Sequence, residues 1–206
     1  MTATEKETAT RVLDVARTLF ARHGYEGVSV RDICREAGTN ANAVHYYFQS
    51  KEALYETILH EFGQDLLRSA QRILTDTPAS REELRTRLQI FLEELIVTLL
   101  EKRDLVLILH TEFMHGGNHC DSNAVQSFAR FPRFIVEYLD ATGEAGLLRP
   151  DVDPEILTQL LIRPSVTAVL SGGNSCGGRS LWEPEFRARW IAGTLSILLS
   201  GALRDE

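Results

Sequence analysis

The sequence has few of the residues that disulfide frameworks and membrane spans require. Its 206 residues contain three cysteines, Cys34, Cys120 and Cys176, and no two of them form a CxxC pair. Their odd number argues against a secreted disulfide framework. The chain also lacks a basic-then-apolar signal segment and any apolar run long enough to cross a bilayer. A reducing cytoplasm is therefore the expected location.

The motifs of common enzyme classes are missing as well. The sequence has no HExxH metal motif, no Ser-His-Asp order and no paired-carboxylate motif. The glycine pairs Gly172-Gly173 and Gly177-Gly178 lack the spacing and the following Lys of a phosphate-binding loop. No alternating strand pattern of useful length occurs, so the predicted fold class is all-α. We expect no catalytic residues and no cofactor.

Positive charge is scarce for a chain that would bind nucleic acid. The net charge is −7, but residues 1–60 hold seven Lys and Arg against eight Asp and Glu, so the acidic excess lies in the rest of the chain. Each neutralised phosphate contributes about −0.9 to the slope of log affinity against log salt. We therefore expect a modest salt dependence per subunit, and useful affinity only from a dimer on a two-part site.

Residues 28–51 carry the strongest local pattern, which predicts two short helices joined by a tight turn. Ser29, followed three residues later by Asp32, is a helix-start signal, and Gly38 suits the left-handed position where a helix ends. Thr39 or Asn40 is expected to cap a second helix over residues 41–48. Two helices, a glycine turn and a polar, aromatic outer face are typical of a helix-turn-helix unit. From spacing alone, two solvated helices of an ordinary all-α core are the alternative.

The outer side of the second predicted helix carries side chains that suit DNA. Asn40 and Asn42 can each donate to and accept from the N6/N7 edge of adenine, whereas Tyr46, Tyr47 and Lys51 suit phosphate oxygens. Alanines keep this helix slim and can touch thymine methyl groups. The full predicted DNA-contact set is Ser29, Arg31, Thr39, Asn40, Ala41, Asn42, Ala43, His45, Tyr46, Tyr47 and Lys51.

Residues 24–55, GYEGVSVRDICREAGTNANAVHYYFQSKEALY, resemble the N-terminal domain of the TetR family of bacterial transcriptional regulators. The shared features are a first helix ending at Leu19-Phe20, the Gly24-Tyr25 pair, the Ala37-Gly38 turn, and Tyr47-Phe48 followed by Lys51. The second helix has Asn-Ala-Asn in place of the frequent Ser-Lys-Gly type of run, which leaves the operator sequence open. The resemblance implies a helix-turn-helix DNA-binding domain at residues 1–49 and a helical ligand-binding and dimerisation domain at residues 50–206.

Helical periodicity and start signals predict the remaining elements. Residues 1–10 are polar and resemble a short frayed arm, and the first helix is expected over residues 10–23. Ser80 with Glu83 predicts a capping box, and Asp153-Pro154 predicts another helix start. The last two predicted helices carry apolar residues on more than one face, which indicates burial on several sides. The resemblance implies a homodimer through these two helices, with reading helices one DNA turn apart on a near-palindromic operator.

The middle of the chain, residues 62–140, is expected to bind a small apolar or amphipathic inducer. The candidates for this site are Phe91, Leu95, Leu99, His110, Phe113, Met114, Phe128 and Phe131, with Arg163 from a later helix. For the apolar members the alternative is simple core packing. For Arg163 it is a structural role, such as an ion pair or a stem that reaches solvent.

A short segment with His115, His119 and Cys120 raises the question of a metal site. His115 and His119 are four residues apart, but Gly116-Gly117 should break the helix that would align them, and no second cluster supplies further ligands. The function that these patterns predict is a repressor released from its operator by a ligand. The alternatives are a metal- or redox-responsive regulator of the same fold and a helical enzyme or scaffold.

Overall fold

The computed structural model describes residues 3–40, 42–114, 122–172 and 178–202, without the side chains of residues 3, 112–114, 122–127 and 202. Within these ranges all regular structure is helical and no strand occurs, which confirms the predicted all-α fold. The helices are α1 (Ala3–His23), α2 (Val30–Glu36), α3 (Ala43–Phe48), α4 (Lys51–Ile73), α5 (Arg81–Glu101), α6 (Arg103–Met114), α7 (Ser122–Glu144), α8 (Pro154–Leu170) and α9 (Pro184–Ala202). None of the described helices is long and apolar enough to span a membrane.

The first helix is longer than its apolar stripe indicated. It begins at Ala3, so the prediction of a frayed polar arm over residues 1–10 is wrong for the described part of that segment. Thr8 and Thr10 donate their hydroxyls to the carbonyls of Thr4 and Lys6, one turn back. Glu5 adds a negative charge near the positive end of the helix dipole. Local polar contacts therefore support a turn that has no hydrophobic pattern.

The chain divides into two compact units, of which the first contains Met1–Gly63 and Asp104–Phe128. In this unit α1, α2 and α3 pack against one another. Val12 and Ala16 of α1, Ile33 of α2 and Val44 of α3 are all 0 % exposed. Arg17 Nε donates to Asp104 Oδ2 at 2.7 Å and so joins α1 to α6. The small core that supports the α2–α3 pair is thus built from one apolar face of each helix.

The second unit contains Gln64–Arg103 and Ala129–Glu206, and in it α5 packs against both α8 and α9. Arg187 of α9 donates to Glu93 of α5 at 2.6 Å. Arg103 donates to the carbonyls of Val169 and Leu170, so it satisfies acceptors that the last turn of α8 leaves without a helical partner. These polar contacts fix α8 and α9 around a leucine-rich α5.

The predicted helix starts are confirmed in the second unit, but the predicted capping box is incomplete, because the Glu83 carboxylate accepts from the Ala79 N–H and not from that of Ser80. Ser80 Oγ accepts from the Glu83 backbone N–H at 3.2 Å, and Asp153 Oδ1 accepts from the N–H groups of Glu155 and Ile156. The two units cut the chain differently from the predicted domains 1–49 and 50–206, because residues 51–63 of α4 belong to the first unit and residues 64–73 to the second. The assignment of separate functions to residues 1–49 and 50–206 stays a prediction.

Candidate nucleic-acid interface

Helix α2 begins after Ser29, as the sequence predicts, and the structure shows that this start is a complete capping box. Ser29 Oγ accepts from the Asp32 N–H, and Asp32 Oδ2 in turn accepts from the Ser29 N–H, each at 3.2 Å. The Ser29 hydroxyl, and then its backbone N–H, hold the pKa of the Asp32 carboxyl below its ordinary value. This start fixes the direction in which α2 leaves the preceding turn.

The turn after α2 is closed by a Schellman motif. Gly38 has a φ of +61°, its N–H donates to the Arg35 carbonyl, and the Thr39 N–H donates to the Cys34 carbonyl at 2.9 Å. Arg11 of α1 donates its Nε to the Ala37 carbonyl at 2.8 Å, across 26 residues of sequence. The glycine turn predicted from sequence is therefore confirmed, and a side chain of α1 holds it in place.

Helix α3 begins at Ala43, two residues later than expected. Asn40 Oδ1 accepts from the Asn42 backbone N–H at 3.0 Å, and this side-chain bond keeps the start of the segment in a turn. Asn42 is the N-cap residue, but its side chain makes no capping hydrogen bond. Asn40 and Asn42 are both exposed, whereas Ala41 lies outside the described residues.

The short α3 has one buried side and one open side. Ala43 and Val44 are 5 % and 0 % exposed, while Tyr46 is 68 % exposed and His45 is also exposed. Ala43, which the sequence predicted as a groove contact, packs instead in the core, because it shares the inner side of this short helix with Val44. The open side is polar and aromatic, as the sequence predicts.

The connection from α3 to α4 has an unusual backbone conformation at Gln49. Its φ and ψ are +70° and −46°, and the Ser50 N–H donates to the Phe48 carbonyl at 2.9 Å, which defines a γ-turn. Gln49 is the one described non-glycine residue with positive φ. His45 Nδ1 lies 2.7 Å from the Gln49 carbonyl oxygen, a distance at which an Nδ1–H donates. The γ-turn sets the direction between α3 and α4.

Lys51, at the start of α4, forms hydrogen bonds with backbone carbonyls of the same chain. Its Nζ donates to the carbonyls of Tyr25 and Val28 at 2.9 and 3.0 Å and lies 3.9 Å from the centroid of the Tyr25 ring. The sequence predicted a phosphate contact and did not anticipate these partners. An ammonium group has three N–H donors, so one donor is left after these two bonds.

The other predicted contact residues lie around the same α2–α3 pair. Ser29 and Arg31 are exposed at the start of α2, Thr39 is half-buried in the turn, and Tyr47 is half-buried on α3. Sequence reasoning missed Glu5, whose carboxylate accepts a hydrogen bond from the Tyr46 hydroxyl at 3.1 Å. No local pattern reveals a contact between residues that are 41 positions apart.

The predicted ligand residues of the second unit are mainly core residues. Phe91, Leu95, Leu99 and Phe131 are between 2 % and 4 % exposed, and the rings of Phe91 and Phe131 lie 6.3 Å apart. Arg163 is exposed and donates to Gln159 on the same helix at 2.6 Å. These positions fit the core and structural alternatives, and a role in ligand binding stays a prediction for each of them.

The remaining ligand candidates belong to the first unit. His110 is exposed, and the half-buried Phe128 has its ring 6.3 Å from that of Phe62. The side chains of Phe113 and Met114 lie outside the described residues. Two open clefts of the second unit, of about 640 and 550 Å³, are lined by other residues, chiefly Asp140 and residues 150–155 in one and Ile90, Glu93 and Ile191 in the other.

The metal hypothesis has no structural support in the described part of the chain. No group of three or more His, Cys, Asp or Glu residues there is arranged to hold a metal ion. His115, His119 and Cys120, which prompted the hypothesis, lie outside the described residues.

Comparisons with known proteins agree with the helix-turn-helix geometry. A family model described as "Bacterial regulatory proteins, tetR family" matches residues 12–58, which include α2, α3 and the turn between them. The HTH-type transcriptional repressor KstR2 of Rhodococcus jostii (strain RHA1) is 30 % identical over 157 residues, which are 74 % of this chain and 73 % of that protein. The HTH-type transcriptional repressor DhaR of Mycobacterium sp. (strain GP1) is 28 % identical over 152 residues, 74 % of this chain and 75 % of the relative.

Solved structures show the same fold over the whole length. The crystal structure of a TetR family transcription regulator from Marinobacter aquaeolei VT8 covers 100 % of both chains at a TM-score of 0.74 and 19 % identity. The structure of Salmonella enterica GusR covers 96 % of this chain and 95 % of its own, with a TM-score of 0.70 and 22 % identity.

Proposed function

Because this chain belongs to the TetR family of bacterial regulatory proteins, we propose that it reads its operator with the open side of α3. The protein is a ligand-responsive, DNA-binding transcriptional repressor and not an enzyme. TetR-family regulators bind DNA operators and are typically dimers. We further propose which residues contact DNA, which surface forms the dimer and which class of molecule acts as the inducer.

The division of α3 into a buried and an open side is the observation that carries the proposal. Ala43 and Val44 attach the helix to its own core, which leaves Asn42, His45 and Tyr46 exposed. The second helix of a helix-turn-helix enters the major groove with its N-terminal residues nearest the base edges. Asn42 stands at that end, and its amide can pair with the N6/N7 edge of adenine.

Phosphate contacts are assigned to the residues around this helix. Arg31 is exposed beside the start of α2, and Tyr47 flanks the open side of α3. Lys51 keeps one N–H after its two carbonyl bonds, and this donor suits a phosphate oxygen. The proposed contact set is completed by Ser29, Thr39, Asn40, Ala41, His45 and Tyr46.

We assign dimerisation to the outer faces of α8 and α9. Ile156 and Leu160 of α8 are 59 % and 46 % exposed, and Ile197 of α9 is 76 % exposed, whereas Leu157 and Leu161 are buried within the subunit. Three large exposed apolar side chains on two adjacent helices mark an interaction surface. Two copies of α8 and α9 would form a four-helix interface whose two-fold symmetry demands a near-palindromic operator with half-sites about 34–36 Å apart.

The proposed inducer is a small apolar or amphipathic molecule that binds in the region of residues 62–140. Such a ligand releases the operator only if it binds the DNA-free conformation more tightly than the DNA-bound one. The proposed place of action is the cytoplasm, where bacterial DNA is found.

Selection from a pool of random double-stranded DNA tests the proposed function. We expect the purified protein to enrich a near-palindromic site and to keep it in the presence of excess scrambled duplex. On that site Arg31→Ala should reduce the salt slope of binding by about 1 per subunit, while Arg133→Ala on α7 should leave the slope unchanged. Enrichment of no sequence, or equal effects of the two substitutions, would contradict the proposed surface.

A further inference from the structure

One contact on the open side of α3 would be in conflict with DNA. The Tyr46 hydroxyl donates to Glu5 Oε1 at 3.1 Å, which joins α3 to the first turn of α1. Tyr46 is 68 % exposed, and its ring packs edge-on against Tyr47 with 4.8 Å between the centroids. A carboxylate is therefore held at the outer edge of the surface that is assigned to DNA.

The chemistry of the tyrosine hydroxyl makes this contact and a phosphate contact exclusive. A phenol has one hydrogen to donate, so the Glu5 carboxylate and a phosphate oxygen compete for the same donor. The hydrogen bond to Glu5, followed by the negative charge of that carboxylate, raises the pKa of Tyr46. The hydroxyl is therefore the donor of this pair, and the carboxylate is its acceptor in the free protein.

We propose that Glu5 is an intramolecular competitor of DNA, which occupies the Tyr46 hydroxyl until a backbone phosphate replaces it. The inference rests on the proposed function, because it requires the open side of α3 to face DNA. Glu5 then weakens binding to every sequence, since it competes with phosphates and not with bases. A negative element of this kind suppresses attachment to non-operator DNA, where phosphate contacts supply nearly all of the affinity.

The size of the effect follows from the charge and from the hydrogen bond. A carboxylate and a phosphate that approach the same hydroxyl lie about 6 Å apart, and their repulsion in water corresponds to about a threefold loss of affinity. Glu5→Gln removes the charge but keeps an acceptor, so it should tighten binding about threefold per subunit and about tenfold for a dimer. Glu5→Ala also frees the hydroxyl and should tighten binding further. Both gains should shrink at high salt.

Fluorescence anisotropy on two short labelled duplexes, the selected operator and a scrambled sequence, tests the inference at low and high salt. The variants are Glu5→Gln, Glu5→Ala, Tyr46→Phe and the double variant of Glu5→Ala with Tyr46→Phe. Glu7→Gln is the matched control, because Glu7 is an exposed carboxylate of the same helix and residues two apart do not share a face. Thermal melts of each variant establish that α1 is still folded.

We expect Glu5→Gln to bind both duplexes more tightly than the wild type and Glu7→Gln to bind them equally well. The gain in affinity from Glu5→Ala should be smaller when Tyr46→Phe is also present. Binding by Glu5→Gln at or below the wild-type level would overturn the inference, as would an equal gain from Glu7→Gln. A gain from Glu5→Ala that does not depend on the Tyr46 hydroxyl would also refute the competition. Failure of the wild-type protein to bind either duplex would instead contradict the proposed function.

Discussion

The substitution Lys51→Met removes one ammonium group that ties the start of α4 to the connection between α1 and α2. Its Nζ donates to the carbonyls of Tyr25 and Val28 and lies over the Tyr25 ring. Both carbonyls belong to the connection between α1 and α2, while Lys51 is the first residue of α4. A methionine side chain keeps most of the apolar stem and loses the donors and the charge.

The expected cost follows from these three contacts. A hydrogen bond to a charged group contributes about 1.5–3 kcal/mol, but Lys51 is only half-buried, so water can replace part of each bond. The contact with the Tyr25 ring adds about 0.5–1 kcal/mol at an exposed site. With a discount for solvent, we expect Lys51→Met to lower the free energy of unfolding by about 2 kcal/mol.

Urea denaturation followed by circular dichroism measures this change. Four of the five tyrosines, Tyr25, Tyr46, Tyr47 and Tyr55, lie in the first unit, so the near-ultraviolet tyrosine signal reports on that unit in the same titration. Lys6→Met on the exposed side of α1 is the control and should stay within about 0.5 kcal/mol of the wild type. A loss for Lys51→Met no larger than that of the control would refute the structural role of the ammonium group.

Three further substitutions test other parts of the account. Gln49→Gly should raise the free energy of unfolding, measured by urea titration, by about 1 kcal/mol. The substitution relieves about 1–3 kcal/mol of backbone strain at a φ of +70°, which exceeds the cost of the larger conformational entropy of glycine in the unfolded chain. A decrease would show that the γ-turn is not strained. Hydrogen bonds from the Ser69 hydroxyl, and then from Arg72, hold the pKa of the Glu94 carboxyl below its ordinary value. The native state therefore binds fewer protons than the unfolded state, and the stability that Glu94 contributes is lost as the pH falls through the acid range. Glu94→Gln should therefore flatten the dependence of the urea midpoint on pH below about 5, and an unchanged dependence would assign it to other carboxylates. Ile197→Glu, at a side chain that is 76 % exposed, should shift sedimentation from dimer toward monomer, whereas Ile90→Glu on α5 should not; dimers that persist equally in both variants would exclude the α8–α9 surface.

Features encoded by neighbouring residues could be predicted from the sequence. The caps at Ser29, Ser80 and Asp153 and the glycine turn at Gly38 depend on side chains and backbone groups within a few positions of one another. The division of α3 into an apolar and a polar side also follows from the order of its residues. The starts of α2, α5 and α8 and the turn at Gly38 are therefore confirmed, whereas α3 begins two residues later than expected and Ala43 packs in the core. The assignment of α3 and its turn to DNA stays a prediction.

Contacts across long sequence separations could not be predicted in the same way. Arg11 reaches the Ala37 carbonyl, Lys51 reaches the Tyr25 carbonyl, and Tyr46 reaches Glu5, and no periodicity in the sequence marks these pairs. The extension of α1 to Ala3 was missed for a related reason, since its first turn is stabilised by polar contacts and has no apolar stripe.

Core and pocket residues also look alike in a sequence. Phe91 and Leu95 are four residues apart, a helical spacing that occurs both in cores and in the walls of cavities. Only their small exposed fractions, 2 % and 4 %, favour a place in the core. Ala43 shows the same difficulty in the short helix α3, because neighbouring positions of a helix face different sides. The sequence alone did not show that Ala43 faces the core and not the groove.

Parallel selections from one random duplex pool, with the wild-type protein, Asn42→Ala and Tyr47→Ala, test most directly whether the open side of α3 reads the operator. The account predicts that Asn42→Ala changes the base preference at one position of each half-site, because its amide is assigned to a base edge. Tyr47→Ala should weaken binding to all sequences and leave the preferred site unchanged, because its hydroxyl is assigned to phosphate. An unchanged preference with Asn42→Ala, or the same loss on every sequence from both substitutions, would contradict the assignment of α3 as the reading helix.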